Sequence, residues 1–217
     1  MSVQPISPGS IVSRIWAIYR DQFSVLVSTA VAIYAVQFVL TLVLSTAAAF
    51  ALIIVFWALS VLYQGMVVKL VKDVQDGRRD HSVGELIRSV QPVFWPLAGV
   101  SILFGLATAV GFLLLIIPGL ILTVIWSVVA PVTVLERPGV FAAFGRSRDL
   151  VRGNGWNVFG VIVLVFLSVL VVSVAAALLA ASLGTVGRAF VQWALDSALA
   201  PITALSASVL YFALLPN

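Results

Sequence analysis

Few side chains in this chain could carry catalysis or ligand chemistry. Cysteine is absent, which removes a thiol nucleophile, a disulfide and a thiolate-held metal. The lone histidine, His81, stands between Asp80 and Ser82. No second histidine and no spaced carboxylate pair completes a metal site around it. Phosphate-cradling Gly-Lys-Ser/Thr loops and Gly-x-Ser-x-Gly elbows do not occur. A membrane-embedded enzyme would have to draw on Asp196, Glu136 or Asp149. The expectation is instead a protein that is not an enzyme, with no cofactor and no metal.

Asp196 is the unusual carboxylate. It lies in a long apolar stretch, one helical turn after Gln192 and five residues before Pro201. An ionised carboxylate in hydrocarbon is costly, so such groups face a bundle interior or a wet cavity and commonly mark function. Asp196 is therefore a candidate intramembrane functional residue. The competing reading is a hydrogen-bonded structural group near the outer interface. Arg188, the nearest cation in sequence, is two turns away.

Anion recognition by arginine is the other chemistry on offer. Eighteen of the charged residues fall in three short segments, 1–23, 69–95 and 136–155, and only Arg188 and Asp196 lie elsewhere. Each segment contains a stretch with apolar residues at helical spacing: Ile11, Ile15 and Ile18; Val83, Leu86, Ile87 and Val90; Val140, Phe141, Phe144 and Val151. Arginines punctuate them, so Arg14, Arg20, Arg88, Arg146, Arg148 and Arg152 are candidate contacts for anionic lipid headgroups or a protein partner. Ser82 and Glu85 fit a capping box. Pro138 suits a first helical turn, and Gly153-Asn154-Gly155 suits a helix end. Such helices can lie along a membrane interface, apolar face down and arginines toward headgroups, or serve simply as connectors ahead of the spans.

The elements that must position these residues are membrane spans. Hydrophobic residues make up 62% of the 217 and charged residues 9%, against roughly 25% charged in soluble domains. Mean hydropathy is +1.19. Residues 22–68 and 89–135 contain no Asp, Glu, Lys or Arg. A spanning helix needs about 20 apolar residues, so each run holds two spans and a turn. A β-barrel is excluded because these runs are apolar on every face rather than alternating. The stretch after Arg20 is too long for the apolar region of a cleaved signal peptide.

The expected fold is all-α: a polytopic membrane protein with six spans, at about 24–45, 48–69, 94–115, 119–136, 156–181 and 188–213. They form three hairpins, each preceded by a short cytoplasmic amphipathic helix. Turns are expected at Ser45–Ala48, at Pro118–Gly119 and at Ser182–Gly187. Every Lys and Arg except Arg188 falls on one side, so the positive-inside rule places both termini and the charged loops in the cytoplasm. That topology accounts for a pI near 10.0 without nucleic acid, whose binding motifs are missing.

The three charged segments also read as one repeat. A basic residue (Arg14, Arg88, Arg148) precedes an aromatic (Phe23, Trp95, Trp156) by seven to nine positions, and a pair of spans follows. Residues 1–217 are then one membrane domain with pseudo-repeats at about 8–70, 82–136 and 138–213. Small residues four apart, Ala107 and Gly111, Ser173 and Ala177, Ala176 and Ala180, mark close helix contacts.

Residues 112–160 carry a recognisable series: Ile117-Pro118-Gly119, Trp126-Ser127, Pro131, Glu136, Arg146-Ser147, Leu150 to Asn154, Trp156 and Phe159-Gly160. This resembles the membrane domain of bacterial glycerophosphodiester phosphodiesterases and related stand-alone six-span membrane proteins. The resemblance implies a bacterial inner-membrane location and a shared topology. In the fused enzymes a separate soluble domain does the hydrolysis, and this chain has no room for one. The leading functional expectation is a non-enzymatic protein that organises lipid or a partner through its basic helices. The alternative is a small transporter or lipid-translocating protein with Asp196 in the pathway.

Overall fold

The computed structural model describes residues 7–43, 49–77 and 83–215. Ten α-helices account for most of them: α1 (Pro8–Asp21), α2 (Phe23–Val43), α3 (Ala49–Gln75), α4 (Val83–Val90), α5 (Phe94–Leu114), α6 (Ile116–Ile125), α7 (Val129–Leu135), α8 (Val140–Val151), α9 (Gly155–Ala180) and α10 (Thr185–Leu214). A 3-10 turn at Gln91–Val93 joins α4 to α5. Five helical stretches are long and apolar enough to cross a membrane: Ile53–Gln75, Gly84–Leu114, Ile116–Leu135, Gly155–Ala180 and Thr185–Leu214. Phe23–Val36 of α2 is a shorter apolar stretch. The chain is thus an all-helical, polytopic membrane protein. The expected first turn (Ser45–Ala48), His81 and the Ser82 cap lie outside the described residues.

Burial ranks the helices. Half of the apolar window of α10 is buried, against 6% for that of α9. α10 is therefore the central post, packed by α1, α2, α3 and α9, while α9 turns most of its surface outward. α2 pairs with α10 rather than only with its neighbour α3. Tyr63 of α3 crosses to α2, its hydroxyl donating to the Leu26 carbonyl at 3.1 Å.

Two expected turns shift when the backbone is seen. The α5–α6 reversal is made at Leu115, in extended conformation (φ −161°, ψ 150°), and Pro118 and Gly119 lie inside the first turn of α6. Proline is tolerated there because the first four N–H groups of a helix have no intrahelical acceptor. Gly119 serves packing instead: a Cβ on it would fall 2.5 Å from the Phe112 ring, and one on Gly111 would fall 3.0 Å from the Gly119 Cα. The last turn occupies Ala181–Gly184, which leaves Gly187 inside α10.

The stretch expected as one helix over 119–136 is interrupted at Trp126–Val128. Pro131 explains the break, since it has no N–H for the Ser127 carbonyl and its ring would clash with it. α8 repairs part of the damage: the Ser147 hydroxyl donates to the Ile125 carbonyl at 3.0 Å. The Trp126 and Phe144 rings meet edge to face at 4.9 Å.

The three short basic helices each bury part of their apolar surface within the bundle. α1 buries Ile11, Ile15, Ile18 and Tyr19 against α9 and α10, with the Tyr19 hydroxyl donating to the Ala198 carbonyl at 3.3 Å. α4 buries Leu86 and Val90 on α3, and α8 buries Ala143, Leu150 and Val151 beside α7. Periodicity told that one face is covered; the bundle, itself apolar, is what covers it.

Candidate functional site

Part of the recognisable series between 112 and 160 meets at the end of α7, where its contacts are architectural, while Ile117-Pro118-Gly119 stands at the opposite end of the Ile116–Leu135 stretch. Glu136 ends α7 and joins three helices. Arg146 of α8 donates from Nε to Glu136 Oε2 at 2.9 Å, and Tyr211 of α10 donates its hydroxyl to Glu136 Oε1 at 2.9 Å. The turn between α7 and α8 demands unusual backbone, with Arg137 at φ 53° and Gly139 at φ 92°. Gly153, at φ 88°, ends α8. A Cβ on Gly160 of α9 would fall 3.0 Å from Pro8 Cγ, so α1 closes over the start of α9. Sequence reading flagged Glu136 and Arg146 separately. Their junction with Tyr211 spans 75 residues and leaves no local signal.

The candidate arginines divide by partner. Arg14, Arg20, Arg88, Arg148 and Arg152 are exposed, and among the described residues no carboxylate pairs with Arg14, Arg20, Arg148 or Arg152. Arg146 is half-buried by comparison and committed to Glu136. Large exposed aromatics occur in the same segments as the exposed arginines: Trp16 and Phe23, Trp95, Phe141 and Trp156. Trp and Tyr collect where apolar core meets headgroups, and Lys and Arg reach past them to phosphate.

Beside α8 lies an open groove of about 530 Å³ between α6 and the first turns of α9, lined mainly by Ile117, Ile121, Val124, Trp156 and Phe159, with Gly153 and Gly155 at one end. Its walls remain exposed, Ile117 at 69% and Trp156 at 86%. Sequence reading did not find this groove, because no local pattern says that α6 and α9 diverge.

Asp196 lines a second groove, of about 400 Å³, between α9 and α10. Its Oδ1 accepts from the Gln192 amide at 3.0 Å. Arg188 lines the same groove but is engaged elsewhere: Nε donates to the Leu183 carbonyl at 2.9 Å and a terminal nitrogen to the Ala181 carbonyl at 3.1 Å. It thereby caps the C-terminus of α9. Ser173 and Ala177, one of the small-residue pairs, form the opposite wall. Close by on α10, the buried Trp193 Nε1 and Ser197 Oγ have no hydrogen-bond partner. Among the described residues no cluster of His, Cys, Asp and Glu could hold a metal ion.

No protein-family profile matches the chain, and no solved structure matches it. Over 95 residues it is 33% identical to a UPF0259 membrane protein of Pectobacterium carotovorum subsp. carotovorum (strain PC1), across 44% of this chain and 38% of that protein. The match therefore spans well under two thirds of the relative. The chain is a membrane protein of several apolar helices, similar over part of its length to that UPF0259 protein.

Proposed function

We propose that this chain is a non-enzymatic protein of the bacterial inner membrane that organises anionic lipid, or a protein partner, through Arg14, Arg20, Arg88, Arg148 and Arg152. The observation that carries this reading is the exposed state of these arginines beside outward-facing aromatics on α1, α8 and the α4–α5 corner. On this reading α2 completes a set of six spans in three hairpins, and both termini and the basic helices face the cytoplasm. The three pseudo-repeats form a single membrane domain. The series at 112–160 is then of the kind found in glycerophosphodiester phosphodiesterase membrane domains, supplying scaffold and no hydrolysis.

Each basic side chain near an anionic surface contributes about 1 kcal/mol. Replacing Arg148 and Arg152 with Gln should weaken retention of phosphatidylglycerol about thirtyfold, as read by native mass spectrometry of the purified protein. Unchanged lipid retention together with unchanged copurifying proteins would refute the reading.

The absence of native cysteine makes the orientation directly testable. Single cysteines at Asp149, Leu115 and Leu183 occupy α8 and two hairpin turns. Asp149→Cys should react with an impermeant thiol reagent only after the membrane is opened. Leu115→Cys and Leu183→Cys should react in intact cells. The reverse pattern would invert the topology.

A second reading, a small transporter or lipid-translocating protein, draws support from the groove shared by Asp196, Gln192 and Arg188. If Asp196 couples a proton or binds substrate, Asp196→Asn should abolish flux in proteoliposomes while leaving the melting temperature within a few degrees. Flux indifferent to that change would dismiss it.

A further inference from the structure

The groove between α6 and α9 goes further than a general attraction of lipid to basic helices. Its volume, about 530 Å³, falls within the range of about 300–1,000 Å³ typical of ligand-sized clefts. Its length is walled by aliphatic side chains and two aromatics, Trp156 and Phe159. Its lining is mostly apolar, and it includes Gly153 and Gly155.

These glycines follow charged residues in the chain. Arg152 immediately precedes Gly153, and Arg148 is one helical turn earlier on α8; both are exposed, and neither has a carboxylate partner among the described residues. The first turn of α9 begins at the same place, and Asn154 makes no side-chain cap there. An apolar channel lined at Gly153 and Gly155, directly after the exposed and carboxylate-free Arg152 and one helical turn beyond Arg148, suits a molecule with a hydrocarbon tail and an anionic head. Guanidinium groups recognise phosphate by paired N–H donors. A hydrocarbon tail fills the remainder without any hydrogen-bonding requirement.

We propose that the groove between α6 and α9 holds one acyl chain of an anionic phospholipid whose headgroup phosphate lies against Arg152 and Arg148. This rests on the lipid-organising reading above and narrows it from a diffuse basic surface to a stoichiometric site. Trp156 forms the wall at the level where chain meets headgroup, which suits its amphipathic indole.

Gly155 permits a clean test. A Cβ added there meets nothing within 4 Å, so the backbone accepts a side chain at this lining position, and Gly155→Phe should obstruct the groove. Ile121→Trp narrows it from the α6 wall. The protein is reconstituted in nanodiscs with phosphatidylglycerol or phosphatidylcholine carrying a diazirine in one chain, irradiated, digested and mapped by mass spectrometry. Phosphatidylglycerol should label residues 117–125 and 155–159 at least fivefold above other lipid-facing surfaces such as the outer face of α9. Gly155→Phe and Ile121→Trp should each reduce that labelling to background with the melting temperature retained. Arg148→Gln with Arg152→Gln should bring phosphatidylglycerol down to the phosphatidylcholine level.

Labelling spread evenly around α9, or unaffected by both groove-filling variants, would overturn the site. If the arginine pair then still controlled bulk phosphatidylglycerol retention, the broader reading would stand and this site alone would fall. Equal groove labelling by both lipids, insensitive to the arginines, would overturn the headgroup assignment.

Discussion

Gly65→Ala should destabilise the protein by about 1–3 kcal/mol, and Gly65→Val by more, because the core at that point has no room for a side chain. The new Cβ would sit 2.6 Å from Val90 Cγ1 and 3.1 Å from Leu97 Cδ2. Both neighbours are fully buried, and β-branched Val90 has little rotamer freedom with which to retreat. Relief must therefore come from backbone movement that parts α3 from the α4–α5 corner. Thermal unfolding in mild detergent reads the loss. Val90→Ala supplies the control: alone it leaves a cavity, but combined with Gly65→Ala it should recover much of the stability lost at Gly65. Gly145→Ala is the opposite case, an exposed position in mid-α8 with nothing within 4 Å of its Cβ. There the better helix former should raise stability by up to about 1 kcal/mol. A Gly65→Ala protein that melts like its parent would mean that α3 and α4 are not packed as described.

The difference between Gly65 and Gly145 also marks the limit of sequence reading. Both are helical glycines in sequence, and only the tertiary neighbours separate them. What sequence conveys well here is what lipid and water enforce locally. Uncharged runs of 47 residues locate helices because a charge in hydrocarbon is expensive. Helical spacing of Ile11, Ile15 and Ile18 locates a buried face. It does not name the covering partner, which for α1 is α9 and α10. Pro118-Gly119 misleads for a related reason. In water the pair signals a turn, yet between lipid-facing helices the reversal needs only the extended Leu115, and Gly119 is required by Gly111 and Phe112 across the hairpin. Asp196 was conspicuous by its charge, and its partner Gln192 lay within one helical turn. The groove between α6 and α9 had no such marker, because it depends on how two helices separated by thirty residues diverge.

Glu136→Ala should cost about 2 kcal/mol and at the same time strengthen binding of anionic lipid. The first effect follows from what the carboxylate holds. One oxygen accepts from Arg146 on α8 and the other from Tyr211 on α10. Removing it leaves a hydroxyl and a guanidinium without their acceptor where α7, α8 and α10 meet. Hydrogen bonds to charged groups contribute about 1.5–3 kcal/mol when dry. Arg146 and Glu136 are 40% and 27% exposed, so water and screening recover part of the loss. Tyr211→Phe removes a single bond and should cost about 1 kcal/mol. Glu136→Gln keeps an acceptor for one of the two donors and should fall between. The second effect has the opposite sign. Arg146 is the one arginine of α8 that Glu136 neutralises, and freeing it adds a third unpaired cation to Arg148 and Arg152. Phosphatidylglycerol retention should then rise up to about fivefold, the equivalent of one further basic contact. Stability falling while lipid binding rises separates a headgroup-binding α8 from a merely structural one, since a helix that only packs would lose both together. Retention that falls in step with the melting temperature would place α8 in the scaffold alone.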